Sequence, residues 1–156
     1  MTHPVLGIEV GAQSTLARLQ RPDETPLHWD LPIGLASLWV LGAPSSAPSP
    51  LAIENAIQAV EDQIGLVQRH LTGETVLALA VENLSTLRRG GAMWNTEGGP
   101  ITLARVEQEY QWLAARAMGA PSAKGTVFDA ASGDALILIL REFMHHLGVN
   151  ELQTFD

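Results

Sequence analysis

A single carboxylate, Glu82, follows a long apolar stretch of the sequence. Residues Thr75–Val81 are apolar after Thr75 and rich in Val and Leu, which predicts a buried central strand. In open sheets flanked by helices, ligands bind at the carboxyl ends of strands, so a charge at this position is a candidate site residue. The alternative is that Glu82 only marks the point where the strand reaches solvent.

The segment after Glu82 carries cationic and aromatic side chains. Arg88 and Arg89 stand before a pair of glycines, and Trp94 follows them. Arginine suits contacts with phosphate groups, and an exposed tryptophan suits stacking on a base. These three residues are therefore candidate nucleic-acid contacts. As an alternative, Arg-Arg before Gly-Gly is typical of a solvated loop.

Three further acids lie near the ends of predicted elements. Glu9 lies in the first predicted strand, Asp134 opens the last predicted helix, and Asp129 comes shortly before that helix. The positions of Glu9 and Asp134 each have an ordinary structural explanation. Glu9 would suit a surface position of an edge strand, and Asp134 would suit a helix cap or a first-turn acid favoured by the helix dipole.

The last predicted helix also contains Glu142, His145 and His146. Glu142 and His145 have the Glu-x-x-His spacing of di-iron bundles, which need two such motifs on long paired helices. The sequence has one such motif. We therefore expect these histidines to be surface residues near the C-terminus of a helix.

Composition limits the classes of protein to which the chain can belong. The 156 residues, 46% of them hydrophobic, predict one globular domain over residues 1–156. A net charge of −8 disfavours binding to nucleic acid through bulk charge. The chain has no cysteine, and no apolar run approaches the roughly 20 residues of a membrane span. We expect a cytoplasmic protein with no membrane contact.

Apolar periodicity predicts an α/β domain. The clearest helix covers about residues 50–71, and residues 102–118 and 132–147 predict two more. Strands are predicted at 5–10, 14–20, within 27–41, at 75–81 and at 126–128. The resulting order is βββαβαβα. The helix at 50–71 is marked by one continuous apolar seam: Ile53, Ile57, Val60, Ile64, Val67 and Leu71.

This element order, with its acids, resembles that of ribonuclease-H-like domains, and the motifs resemble those of RuvC-type Holliday-junction resolvases. Leu6-Gly-Ile-Glu-Val-Gly11 is similar to their first strand. Ala80-Val-Glu82-Asn83 is similar to the end of their fourth strand, and Asp134-Ala-Leu136 to the entry of their final helix.

The resemblance implies a ribonuclease-H-like mixed sheet and a metal-dependent endonuclease that cleaves branched DNA as a homodimer. Glu9, Glu82 and Asp134 would hold Mg²⁺ or Mn²⁺, with Asp129 as a further catalytic acid. Two cations roughly 4 Å apart would activate water and stabilise the leaving oxygen. Arg88, Arg89 and Trp94 would contact the DNA.

The sequence departs from the resolvase pattern at two acids. Glu9 stands where that family has Asp, and Ala131 replaces an acid three residues before Asp134. These departures, with the charge of −8, leave a second hypothesis open. The chain would then be a non-catalytic acidic α/β domain that serves as an assembly or protein-interaction module.

Overall fold

One six-stranded sheet organises the part of the chain that the computed structural model describes, residues 2–39, 48–90, 101–119 and 130–156. The strand order across the sheet is β3-β2-β1-β4-β6-β5. The strands are β1 (Val5–Val10), β2 (Thr15–Gln20), β3 (Leu27–Leu31), β4 (Val76–Ala80), β5 (Ile101–Thr102) and β6 (Glu151–Phe155).

The sheet is mixed because some neighbouring strands are antiparallel and others are parallel. β1, β2 and β3 form an antiparallel meander. β4 pairs parallel to β1, and β6 pairs parallel to β4, whereas β5 is antiparallel to β6. The carboxyl ends of β1, β4 and β6 therefore lie at the same edge of the sheet.

Four helices pack together on the sheet. They are α1 (Pro50–Gln68), α2 (Glu82–Gly90), α3 (Leu103–Ala117) and α4 (Ala130–Leu147), and α4 contacts each of the other three. α1 starts as its sequence predicts, with the Ser49 hydroxyl accepting a hydrogen bond from the Ala52 amide at 3.1 Å and Pro50 in the first turn. Within α1, the seam residues Ile53, Val60, Ile64 and Val67 are buried in the shared core, and Ile57 packs against it.

The two faces of the sheet differ in the side chains that they carry. Along β1, Leu6, Ile8 and Val10 are buried in the core that the helices cover. The alternate positions point to the opposite face, where Glu9 is exposed. The alternation in β1 therefore places the Glu9 carboxylate away from the helices.

The expected α/β class and mixed sheet are confirmed, whereas the assignment as ribonuclease-H-like is not. The segment after Glu82, expected as a loop, is helix α2 because Leu84 and Leu87 recur on one helical face and pack against the core. The strands β5 and β6 were not expected. The strand predicted at 126–128 lies outside the described residues.

Candidate functional site

The turn from β1 to β2 lies at the edge of the sheet where the parallel strands end. It consists of residues Gly11 to Ser14, closed by a hydrogen bond of 2.8 Å from the Gly11 amide to the Ser14 carbonyl. Ala12 and Gln13 are exposed, and Ser14 is half-buried. A ligand can therefore reach the backbone of this turn.

The carbonyl groups of residues 11, 12 and 13 are held by the segment that follows β3. They accept hydrogen bonds from the Leu35 amide, the Ala36 amide and the Ser37 hydroxyl, each at 2.8 Å. The carbonyls of residues 11, 12 and 13 thus point toward the same segment of chain.

The orientation of the carbonyls fixes the orientation of the amides. In a trans peptide unit the N–H group points opposite to the carbonyl of the preceding residue, and the described chain has no cis peptide bond. The amides of Ala12, Gln13 and Ser14 therefore point away from residues 35–37, and none of them donates to another backbone group of the described residues. Successive N–H groups that point in one direction form a concavity that binds anions.

Gly34 allows the segment after β3 to approach the turn this closely. A Cβ atom at Gly34 would lie 2.6 Å from the Ala12 carbonyl oxygen and 2.7 Å from the Gln13 carbonyl carbon. Any larger residue would push the turn out of place. The Thr15 hydroxyl adds a second tie, donating to the Ile33 carbonyl at 2.7 Å.

Asn83 fixes the end of β1, directly before the turn. Its Oδ1 accepts from the Val10 amide at 2.9 Å, and its Nδ2 donates to the Val10 carbonyl at 2.8 Å. The β1–β4 pairing ends at Ile8 and Leu79, so this side-chain amide replaces the strand partner that β4 no longer supplies. Because Asn83 is only 4% exposed, the two bonds are shielded from water and hold α2 against β1.

Two of the carboxylates predicted as metal ligands lie near this turn. Glu9 is the penultimate residue of β1, and Glu82 is the first residue of α2, directly after Val81. Both are exposed. Mg²⁺ binds carboxylate oxygens and keeps several of its own water ligands. An exposed carboxylate suits this ion because it leaves room for those waters. The two residues are chemically suited to a hard divalent cation.

Asp134 has a different environment from the other two acids. It is 7% exposed, and its carboxylate accepts a hydrogen bond of 2.6 Å from the Arg116 guanidinium. Burial raises the pKa of the Asp134 carboxyl, a shift that Arg116 opposes and Glu109 increases. In the described chain, Glu9, Glu82 and Asp134 do not belong to a set of three potential ligands within 4.8 Å of one another.

The other predicted site residues lie in two places. Arg88 and Arg89 lie in α2 rather than in the loop expected for them. Asp129 and Trp94 lie outside the described residues. None of the helices in the ranges described is both long and apolar enough to cross a membrane.

Sequence reasoning missed the residues that shape this turn. Residues 11–13 were interpreted only as the connection between two predicted strands, and neither Gly34 nor Asn83 was given a role. The one local signal is a Gly-led polar turn directly after a buried strand with an acid near its end. The contacts from residues 33–37 and from Asn83 come from distant parts of the chain.

Solved structures similar to this chain are phosphatases. An Aquifex aeolicus Ppx/GppA phosphatase superposes with a TM-score of 0.71 and 14% sequence identity. The superposition covers 100% of this chain and 54% of the phosphatase chain. An exopolyphosphatase from Cytophaga hutchinsonii superposes with a TM-score of 0.69 and 13% sequence identity, over 98% of this chain and 53% of the exopolyphosphatase chain. No protein-family model and no curated protein sequence matches the chain.

These comparisons show a fold shared with Ppx/GppA phosphatases and correct the functional prediction. The similar structures are exopolyphosphatase and GppA-type phosphatases rather than branched-DNA resolvases, so the predicted endonuclease activity and role in DNA recombination are wrong. They do not favour the non-catalytic module either. The chain spans about half the length of the structures that it matches.

Proposed function

We propose that this chain binds the terminal phosphate groups of polyphosphate or of a nucleotide at the turn from Gly11 to Ser14. The observation that supports the proposal is the common orientation of the Ala12, Gln13 and Ser14 amides, which the hydrogen bonds from residues 35–37 impose. Backbone amides carry no net charge, so they can bind a phosphate on a chain whose net charge is −8.

A divalent cation would complete this site. Glu9 and Glu82 are the residues that would hold Mg²⁺ or Mn²⁺, with water molecules in the remaining positions. The cation would neutralise phosphate charge that the exposed acids otherwise repel. Glu9 and Glu82 would then orient the cation, while the turn orients the phosphate.

The proposal assigns phosphate binding to this chain and not a complete hydrolytic reaction. The chain spans about half the length of the phosphatases that share its fold, so the proposal concerns only the half of that fold that this chain covers. The predicted homodimer stays a prediction.

The test is calorimetric titration with tripolyphosphate in the presence of Mg²⁺. The Gly34→Ala variant places a methyl group 2.6 Å from the Ala12 carbonyl oxygen and so displaces the turn. We expect the variant to lose more than about tenfold in affinity, and overpacking to destabilise it by about 1–3 kcal/mol.

Gly65→Ala is the matched control, because a Cβ at Gly65 meets no heavy atom within 4 Å. Its affinity should be unchanged, and its stability should rise by about 0.5–1 kcal/mol since Gly65 lies inside α1. The milder Ser37→Ala variant removes one hydrogen bond to the turn and should weaken binding severalfold in a fully folded protein. Binding by Gly34→Ala equal to that of the wild type would refute the proposal, as would no binding by the wild type.

A further inference from the structure

Three potential metal ligands meet between α1 and α4, on residues that the proposed phosphate site does not use. Glu61 comes from α1, and Glu142 and His146 come from successive turns of α4. One ligand atom from each lies within 4.8 Å of the other two. The Gln68 side chain donates to the His146 carbonyl at 2.9 Å, so the two helices are also tied beside this group.

The His146 ring lies farther from both carboxylates than a hydrogen bond allows. The His146 Nε2 atom lies 3.5 Å from a Glu61 oxygen and 3.8 Å from the Glu142 Oε1 atom. Both distances exceed the 2.7–3.2 Å range of N–H···O hydrogen bonds. Two ligands that are each about 2.1 Å from one cation lie roughly 3.0–3.4 Å apart. The observed separations are thus close to those of ligands around a shared ion.

Arg141 is the one arginine that pairs with a member of this group in the described residues. Arg141 is shared between Glu107 at 2.9 Å and Glu142 at 2.8 Å, while its guanidinium lies over the Tyr110 ring. His145 is also bound to Glu107. Among cationic side chains of the described residues, Glu61 pairs with His146 alone.

Glu142 is the most buried member of the group, at 3% exposure. Burial raises the pKa of the Glu142 carboxyl, Arg141 opposes this shift, and Glu61 increases it. Its Oε2 atom is held by Arg141, so Oε1 is the atom that faces Glu61 and His146. Arg141 therefore fixes the orientation in which Glu142 presents one oxygen to the group.

We propose that Glu61, Glu142 and His146 bind one divalent transition-metal ion of the zinc or manganese type. Two carboxylates and one imidazole form a set that such ions accept, and the imidazole disfavours Mg²⁺ and Ca²⁺. The ion would join α1 to α4 through ligands from both helices. This site is separate from the turn at Gly11, and the proposal does not depend on phosphate binding.

The test is titration of the wild-type chain with Zn²⁺ by calorimetry, in a buffer that contains excess Mg²⁺ and no phosphate. We expect one high-affinity site and a rise in the thermal unfolding midpoint when the site is filled. His146→Ala should weaken this binding by more than about tenfold. Glu61→Gln, a substitution of similar size at a half-buried position, should do the same without loss of the fold.

His145→Ala is the matched control, because His145 adjoins the site in sequence but contacts Glu107 instead. Its Zn²⁺ affinity should stay within about twofold of the wild type, and Co²⁺ bound at the site should give a visible absorption band that only His146→Ala and Glu61→Gln abolish. Equal losses in His145→Ala and His146→Ala would overturn the assignment, as would the absence of a Zn²⁺ site in the wild type. Tripolyphosphate binding should be unchanged in His146→Ala, which separates the two proposals.

Discussion

At the scale of single residues, Asp134 illustrates how burial decides what a carboxylate can do. The sequence places it at a helix start, where both a metal ligand and an ordinary helix acid are expected. In the structure its oxygen is bound by Arg116 at 2.6 Å and the side chain is buried. Burying an ion pair costs desolvation energy that the attraction only partly offsets. Asp134 thus joins α3 to α4.

The raised pKa of Asp134 predicts how stability varies with pH. A carboxyl with a higher pKa in the folded state binds protons more tightly than in the unfolded chain, so the free energy of unfolding falls as pH rises above about 4. Asp134→Asn removes this contribution. We expect urea unfolding from pH 4 upward to show a shallower loss of stability in the variant than in the wild type.

The Glu142 carboxyl also has a raised pKa, and Glu142 is present in both the wild type and Asp134→Asn. The test therefore compares how steeply the free energy of unfolding falls with pH in these two proteins. Parallel curves for Asp134→Asn and the wild type would contradict this account of Asp134. A steeper loss in the variant would mean that Arg116 outweighs burial, and that the folded-state pKa of Asp134 is lowered.

At the scale of elements, the contact between β1 and α2 depends on the Asn83 side chain. Asn83→Ala leaves the Val10 amide and carbonyl without the partners seen in the structure. Each buried polar group left unsatisfied costs about 1–3 kcal/mol, so we expect a loss of roughly 2–4 kcal/mol in the free energy of unfolding. Chemical denaturation measures this loss.

Ser85→Ala is the control on the same helix. Ser85 is exposed, and its hydroxyl donates within α2 to the Glu82 carbonyl at 2.9 Å. We expect a change within about 0.5 kcal/mol. If Asn83→Ala costs no more than Ser85→Ala, the β1–α2 contact does not depend on Asn83.

Elements with a strong periodic pattern could be predicted from the sequence, and elements defined by packing could not. The seam from Ile53 to Val67 identified α1 because one apolar face repeats over about four turns. α2 was missed because its polar residues and glycine suggested a loop, although Leu84 and Leu87 bury one face. β6 was missed because Leu152 is its only buried residue, so it has no visible alternation.

At the scale of the whole molecule, the sequence pointed to one edge of the sheet but not to the chemistry that we propose there. The rule that ligands bind at the carboxyl ends of strands directed attention to the end of β4 and to Glu82, and the proposed phosphate site lies at the same edge. The proposed phosphate site depends on peptide orientations set by Leu35, Ala36 and Ser37, which are more than twenty residues away in sequence. Local patterns carry no information about such contacts. The short acidic motifs were consequently assigned to a nuclease.

The most direct test of phosphate binding follows the backbone amides by ¹H–¹⁵N NMR during titration with tripolyphosphate and Mg²⁺. Binding at the turn predicts that the Ala12, Gln13 and Ser14 resonances shift first and furthest, because phosphate oxygens accept hydrogen bonds from these groups. Residues of β3 and of the C-terminal half of α1 should move little. Shifts concentrated elsewhere, with these three amides unchanged at saturation, would contradict the proposed phosphate site.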